Sequence, residues 1–391
     1  MTLPRSQPTV APPSIDLRQH NEKIDVLRGV AILLVFSGHS LIAIFGDYDF
    51  IDFSPSGLWI DFSRFAPGRV VLTMTPWAMG AHGVTLFLVI SGFLIHWGFL
   101  KSGAAFRLSE FFNKRFWRIY PPYLVALAVF GLSLGTGGAF SLLTHLTLTH
   151  NLFERSYTTI NPSFWSLGLE MQFYLLYPVL LLLRRWLGIG QATLAVAGCA
   201  VLTLALLLIF GVRSSTPWIS PPALWLNWVI GAWLGERFFL GQRVFKRGPG
   251  YLVGFYVLLT LSKLTLIYLV LGRLLFSLFF VCLMDWYLHQ KAPVTSALGR
   301  GLKRLTARVG LYSYSIYLFH HPFLYRVITF FSFGQQNKLV LGLAVVLAFG
   351  LMFGIAHFTY HWLELPAIRW GKALYARWRP PVRVGIPPLT T

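Results

Sequence analysis

Apolar stretches about as long as a bilayer core is thick recur from one end of this chain to the other. A helix rises about 1.5 Å per residue, so about 20 apolar residues cross the hydrocarbon of a bilayer. A soluble fold has no use for so many such stretches. Ten spans are expected, at about 24–45, 79–99, 119–135, 163–183, 191–211, 218–236, 250–270, 272–288, 309–330 and 339–362. The apolar run 139–152 is too short to cross and reads as a re-entrant or interfacial piece. The expected fold class is therefore all-α, a polytopic transmembrane helical bundle. It has a polar N-terminal arm (1–23), a transmembrane domain (24–366) and a basic tail (367–391), of which 371–391 is Pro-rich and expected to be disordered. The arm has no apolar stretch of the kind a cleavable signal peptide needs, so the first span is expected to act as its own insertion signal.

Charge fixes the expected orientation. Only 12% of residues are charged, about half the usual soluble fraction of ~25%. Yet the formal net charge is +20. A nucleic-acid surface would gather that charge in a patch, whereas here it lies between spans. With the N-terminus inside, the inner segments hold 24 of the 33 Lys and Arg, the outer loops six, and three lie within spans. That asymmetry obeys the positive-inside rule, puts both termini in the cytoplasm, and implies a multi-pass protein of a cell inner membrane. Trp97, Trp117, Trp186, Trp218, Trp362 and Trp370 fall near span ends, as an interfacial belt would. Cys199 and Cys282 lie in apolar runs and suggest neither a disulfide framework nor a metal site.

Ionisable groups inside hydrocarbon mark function by default. Arg28 and His39 are eleven residues apart in the first span, so they share one helix face, about 16 Å apart along the axis. A guanidinium at the mouth suits phosphates. A deeper neutral imidazole suits proton abstraction from a hydroxyl. Taken singly, each also reads as a snorkelling anchor or a packed histidine. Glu170 in the fourth span needs a partner; it orients His39, binds an acceptor, or is structural. Arg115 and Arg118 are one helical turn apart on the side of Arg28, where three guanidiniums could converge on an anion. Of His320 and His321, one is expected to face the interior and the other to pack. Asp285 and Lys263 are also intramembrane, without an assigned role. The long outer loop 46–78 carries Asp47, Asp49, Asp52 and Asp61 with Tyr48, Trp59 and Trp77. Carboxylates among aromatics suit a sugar, or simply a solvated loop.

These residues fall in recognisable strings. Ile24-Asp25-Val26-Leu27-Arg28-Gly29-Val30-Ala31 precedes His39, and Gly83-Val84-Thr85-Leu86-Phe87 precedes Ile90-Ser91-Gly92-Phe93. Arg115-Phe116-Trp117-Arg118-Ile119-Tyr120-Pro121 follows, then Trp165-Ser166-Leu167 with Glu170, Phe173-Tyr174 and Tyr177-Pro178. Ser313-Tyr314-Ser315-Ile316-Tyr317-Leu318-Phe319-His320 with Pro322 and Glu364-Leu365-Pro366 close the series. Together, and in this order, they resemble membrane acyltransferase family 3, bacterial O-acyltransferases of surface polysaccharides and small molecules. The resemblance implies a ten-helix core and an acyl-CoA donor, acetyl-CoA by default, entering from the cytoplasm. The acceptor would be a carbohydrate or small-molecule hydroxyl on the other face. It implies Arg28, Arg115 and Arg118 on the donor phosphates, and His39, Arg28 and Glu170 in catalysis, His39 as general base or transient acyl carrier. Trp165, Tyr174, His320 and Asp61 are expected on the acceptor side, with membrane lipid, acyl-CoA and acceptor as partners and neither metal nor nucleic acid. A secondary transporter or exporter is the rival class. Against it, no inverted repeat or pair of Gly/Pro-broken helices is visible. Two departures stand out. Many relatives have a glutamate in the sixth span where this chain reads Leu226-Asn227-Trp228. Many also carry a C-terminal hydrolase-type domain where this chain has a short tail, so the acyl group is expected to pass directly to its acceptor or to a separate partner.

Overall fold

The computed structural model describes residues 17–45, 75, 80, 82–135, 137–262, 272–332 and 337–378. Lys263, Asp61 and the acidic-aromatic loop at 47–61 lie outside them. All regular structure among the described residues is helical. A helix stands at each of the ten expected positions: α1 (Leu17–Phe45), α2 (Gly83–Ser102), α3 (Leu108–Leu134), α5 (Trp165–Ile209, covering two), α6 (Pro221–Phe239), α7 (Gly248–Ser262), α8 (Arg273–Leu288), α10 (Ser313–Ser332) and α11 (Lys338–Thr359). α5 is two helices joined at Gly188, whose φ of 77° and ψ of 159° break the helix where the expected inner loop lies. Left-handed φ is cheap only for glycine. Among the described residues, four helical stretches are long and apolar enough to cross a membrane: Asn21–Ile44, Gly83–Ala105, Pro162–Ile209 and Lys338–Trp378.

Three elements depart from expectation. The short apolar run carries the eight-residue helix α4 (Ala139–Leu146). The basic segment before the ninth span is the helix α9 (Ala297–Leu311), which begins at the N-cap Ser296 and runs beside α1. The tail, expected to be disordered from 371, is instead helical through 378 as α12 (Leu365–Trp378), which packs on α3. A π turn, Tyr360–Glu364, joins α11 to α12.

The apolar side chains form two cores. One unites α2, α5, α6 and α8; the other unites α3, α10 and α11. Both include residues of α1, Leu27 and Ala31 in the first and Ile32 and Val35 in the second. α1 is therefore the seam of the bundle, and whatever it carries can reach both halves. α2 and α6 meet backbone to backbone: a Cβ on Gly92 would stand 1.9 Å from the Trp228 carbonyl oxygen, and one on Gly231 2.0 Å from that of Val89. Not all the expected belt tryptophans lie at the surface. Trp186, Trp362 and Trp370 are exposed, but Trp97 is buried against Phe93 and Phe238.

Candidate active site

At the end of the bundle that carries the basic segments, α1, α2, α3, α5 and α10 line a cavity that is open to the outside, about 780 Å³ with its mouth included. Arg28 of α1 and Arg115 and Arg118 of α3 line it, together with Glu170 and Tyr174 of α5. The three guanidiniums that the sequence placed on one side do converge on one space. Arg28 has Asp25 at 3.8 Å. No carboxylate among the described residues lies within ion-pairing distance of Arg115 or Arg118, and the Arg115 Nε is buried without a hydrogen-bond partner. A buried, unpaired donor on a cation is costly unless an anion completes it.

Glu170 does not reach His39. Its Oε1 accepts from Ser91 Oγ at 2.8 Å and from the Tyr174 hydroxyl at 2.5 Å. The Trp228 indole N–H donates to Ser91 Oγ at 3.2 Å. Three helices thus hold one carboxylate in the cavity wall, opposite the arginines. Glu364, buried at the π turn, accepts from Ser315 Oγ at 3.3 Å. Asn227 of α6 is also buried, and its Oδ1 accepts from Ser277 at 2.7 Å.

His39 lies beyond the cavity. Its ring stacks on His321, centroids 4.4 Å apart, and its Nδ1 stands 3.3 Å from His320 Nε2. Both neighbours therefore face it, whereas one was expected to pack elsewhere. Carbonyl contacts fix two tautomers. His39 Nδ1 lies 3.0 Å from Val35 O, and His320 Nδ1 2.8 Å from Tyr317 O. A carbonyl oxygen only accepts, so each Nδ1 carries the hydrogen, and the Nε2 of each ring presents its lone pair.

Proline chemistry places the fourth member. Pro322 lies inside α10 and has no N–H, so the Leu318 carbonyl loses its helical partner. Asn161 Nδ2 donates to that carbonyl at 3.0 Å, while Asn161 Oδ1 caps Ser163 N at 3.0 Å. Ser163 is held so that its Oγ lies 3.4 Å from His320 Nε2 and 3.2 Å from His321 Nδ1. Tyr317 separates the two sites. It lines the cavity, and its hydroxyl donates to Ser163 O at 2.9 Å and stands 2.6 Å from Ser166 Oγ. The cavity thus ends on Tyr317 and Ser166, one layer short of the imidazoles.

A family model for the acyltransferase domain, Acyl_transf_3, matches residues 21–361, most of the chain and every residue that lines the cavity or forms the histidine cluster. The chain belongs to this acyltransferase family. The regular structure of its described residues is all helical. Nodulation protein 10 of Rhizobium leguminosarum bv. viciae is 33% identical over 141 residues, 30% of this chain and 38% of that protein. An uncharacterized protein of Haemophilus influenzae is 31% identical over 119 residues, 25% of this chain and 48% of that protein. Each alignment thus spans less than half of the relative it matches. No solved structure matches.

Of the residues singled out from the acyltransferase sequence, Arg28, Arg115, Arg118, Glu170 and Tyr174 share the cavity. His39 and His320 share the cluster beyond it. Trp165 lines neither; it packs on the core. Ser91, Ser163, Tyr317 and His321 were not picked out as site residues. Ser163 follows Asn-Pro just before a helix start, and His321 adjoins a named histidine, so both had a weak signal. Ser91 and Tyr317 lie in strings that carry the family resemblance, but their roles come from neighbours on other helices.

Proposed function

We propose that this acyltransferase takes an acyl group, acetyl by default, from acyl-CoA at the cytoplasmic face. It passes that group to a hydroxyl of a carbohydrate or small-molecule acceptor arriving from the other face. One observation carries the reading. A cavity at the basic end presents three guanidiniums, two without a carboxylate partner, and ends one side chain short of an imidazole whose Nε2 is free to accept a proton. Arginines bind phosphate by paired N–H donors, so Arg28, Arg115 and Arg118 hold the donor's phosphates. Its thioester arm runs toward Tyr317.

The chemistry follows from the tautomer. His39 Nε2 removes the proton of the acceptor hydroxyl as its oxygen attacks the thioester carbon. The new C–O bond forms, the C–S bond breaks, and the CoA sulfur leaves with the electron pair and takes a proton from the imidazolium. The Val35 carbonyl and His320 hold the ring so that Nε2, not Nδ1, is the base. Tyr317 must turn aside for the thioester to arrive. Closed, it keeps water from the imidazole, which limits hydrolysis of the donor.

The test is transfer of radiolabelled acetyl from acetyl-CoA by the purified, reconstituted protein, with surface glycan or secreted metabolite from the host as acceptor. His39→Ala should abolish transfer in a protein that still folds, and Arg28→Ala should chiefly weaken donor affinity. Full transfer by His39→Ala defeats the mechanism. Solute movement without acetyl-CoA consumption would restore the transporter reading.

A further inference from the structure

The tail helix α12 and α3 form a second groove, lined by lysines and arginines. We propose that the groove between α3 and α12 holds the adenosine 3′-phosphate end of the donor, an assignment that rests on the acyl-CoA reading above. The groove encloses about 570 Å³. Arg115 and Arg118 line it as well as the larger cavity, so the two spaces meet at the same pair of guanidiniums. A ligand that threads a thioester arm into the cavity and leaves a diphosphate on Arg115 and Arg118 can run on into this groove.

The groove is built, not a gap between loose segments. Gly371 of α12 lies so close to α3 that a Cβ there would stand 2.3 Å from the Trp117 ring. Asn113 Nδ2 donates to the Gly371 carbonyl at 3.0 Å, and the hydroxyls of Ser109 and Tyr375 meet at 2.9 Å. These contacts clamp α12 on α3 and set Lys372 at the rim beside Lys114. Lys114 is held by Glu110 at 2.6 Å. No carboxylate among the described residues lies within ion-pairing distance of the exposed Lys372. Four cations and one amide thus surround a space with an aromatic wall at Trp117. An adenosine with a 3′-phosphate matches that chemistry: an apolar, stackable base and a dianion beyond the diphosphate. A lysine at an open rim grips phosphate as a point charge.

An anionic lipid headgroup would meet the same cations, and the test separates the two. The full chain in nanodiscs of phosphatidylcholine alone is titrated with acetyl-CoA and with its 3′-dephospho analogue. Wild type should prefer acetyl-CoA by about tenfold, the worth of one charge-assisted contact. Lys372→Ala should shrink that preference to about twofold by weakening acetyl-CoA alone, and Lys372→Arg should keep it. Lys372 is exposed, so its replacement leaves the helix contacts in place. Equal affinity of wild type for the two donors, or an unchanged preference in Lys372→Ala, overturns the assignment while leaving the acyl-CoA reading intact. If phosphatidylglycerol in the nanodisc erases the Lys372-dependent preference, the groove is a lipid site and the assignment fails. If wild type binds neither donor, the acyl-CoA reading falls first and takes the groove with it.

Discussion

Removing the carboxylate of Glu236 should unfold one corner of the bundle at a cost that can be stated in advance. Glu236 ends α6 and takes two hydrogen bonds from Arg184 of α5, Nε at 2.6 Å and a terminal nitrogen at 3.0 Å. Its Oε2 also meets His96 Nε2 of α2 at 2.9 Å, and His96 Nδ1 meets the Tyr177 hydroxyl at 3.2 Å. The carboxylate is 15% exposed, the guanidinium 25% and the imidazole not at all. Breaking one partner of a mostly buried ion pair costs about 3–5 kcal/mol, because the other charge is left without compensation. Glu236→Ala should therefore lower the folded-to-unfolded ratio by about two to four powers of ten. The cost should be shared with Arg184→Ala, with a coupling of about 1–3 kcal/mol in the double-mutant cycle. The assay is equilibrium unfolding in mixed detergent and SDS micelles, read by the protein's 14 tryptophans. The triad does not line the donor cavity, so turnover per folded molecule should stay unchanged. Additive single mutants, with coupling below about 0.5 kcal/mol, would refute the idea that these three side chains act as one unit.

His320→Ala should lower kcat by about 10- to 100-fold with little change in donor KM, because the imidazole orients His39 without touching the donor; a rise in KM alone would remove it from that role. Tyr317→Ala should open the donor cavity to the histidines and raise acceptor-independent hydrolysis of acetyl-CoA, measured as free thiol; unchanged hydrolysis would mean that the phenol is no barrier. His289, just past α8, hydrogen-bonds Asp285, which raises the imidazole's pKa above its ordinary 6.5. A raised pKa stabilises the fold below the unfolded value, and that stability is lost as pH rises through the folded one. Wild type should therefore gain thermal stability over His289→Gln at pH 6 and lose that advantage by about pH 9; a gap that does not change with pH would break the linkage.

How much of this was legible in sequence varies by kind of interaction. Apolar length located the helices, since a span must bury its own backbone groups within one segment. The Arg28 and His39 spacing put both on α1, and the resemblance named most of the cavity. What stayed hidden depends on contacts between distant segments. Segments α9 and α12 were counted as loop and tail because their lysines and arginines interrupt every apolar run before it is long enough to span, although both have basic and apolar residues at helical spacing. Asp285 had no role from its own surroundings. In the fold its Oδ2 accepts the Phe245 N–H at 2.7 Å, forty residues away, and pins the turn before α7. Glu170 had three open roles, and geometry removed one: its bonds go to Ser91 and Tyr174, on the donor side of Tyr317.

That placement sharpens the division of labour on the proposed reading. A fixed carboxylate beside a base both orients it and stabilises the cation that forms when it takes a proton. His39 instead has a backbone carbonyl at Nδ1 and two neutral-capable rings around it. The arrangement fixes the ring's direction with no carboxylate among its contacts in the described residues. Glu170 then belongs with the arginines, where a carboxylate relieves repulsion among guanidiniums while the cavity is empty. Glu170→Gln should accordingly move donor affinity more than the chemical step, and His39→Gln the reverse. Single-turnover measurements with acetyl-CoA separate binding from transfer. A Glu170→Gln enzyme that binds donor normally but transfers as slowly as His39→Gln would return the carboxylate to the histidine.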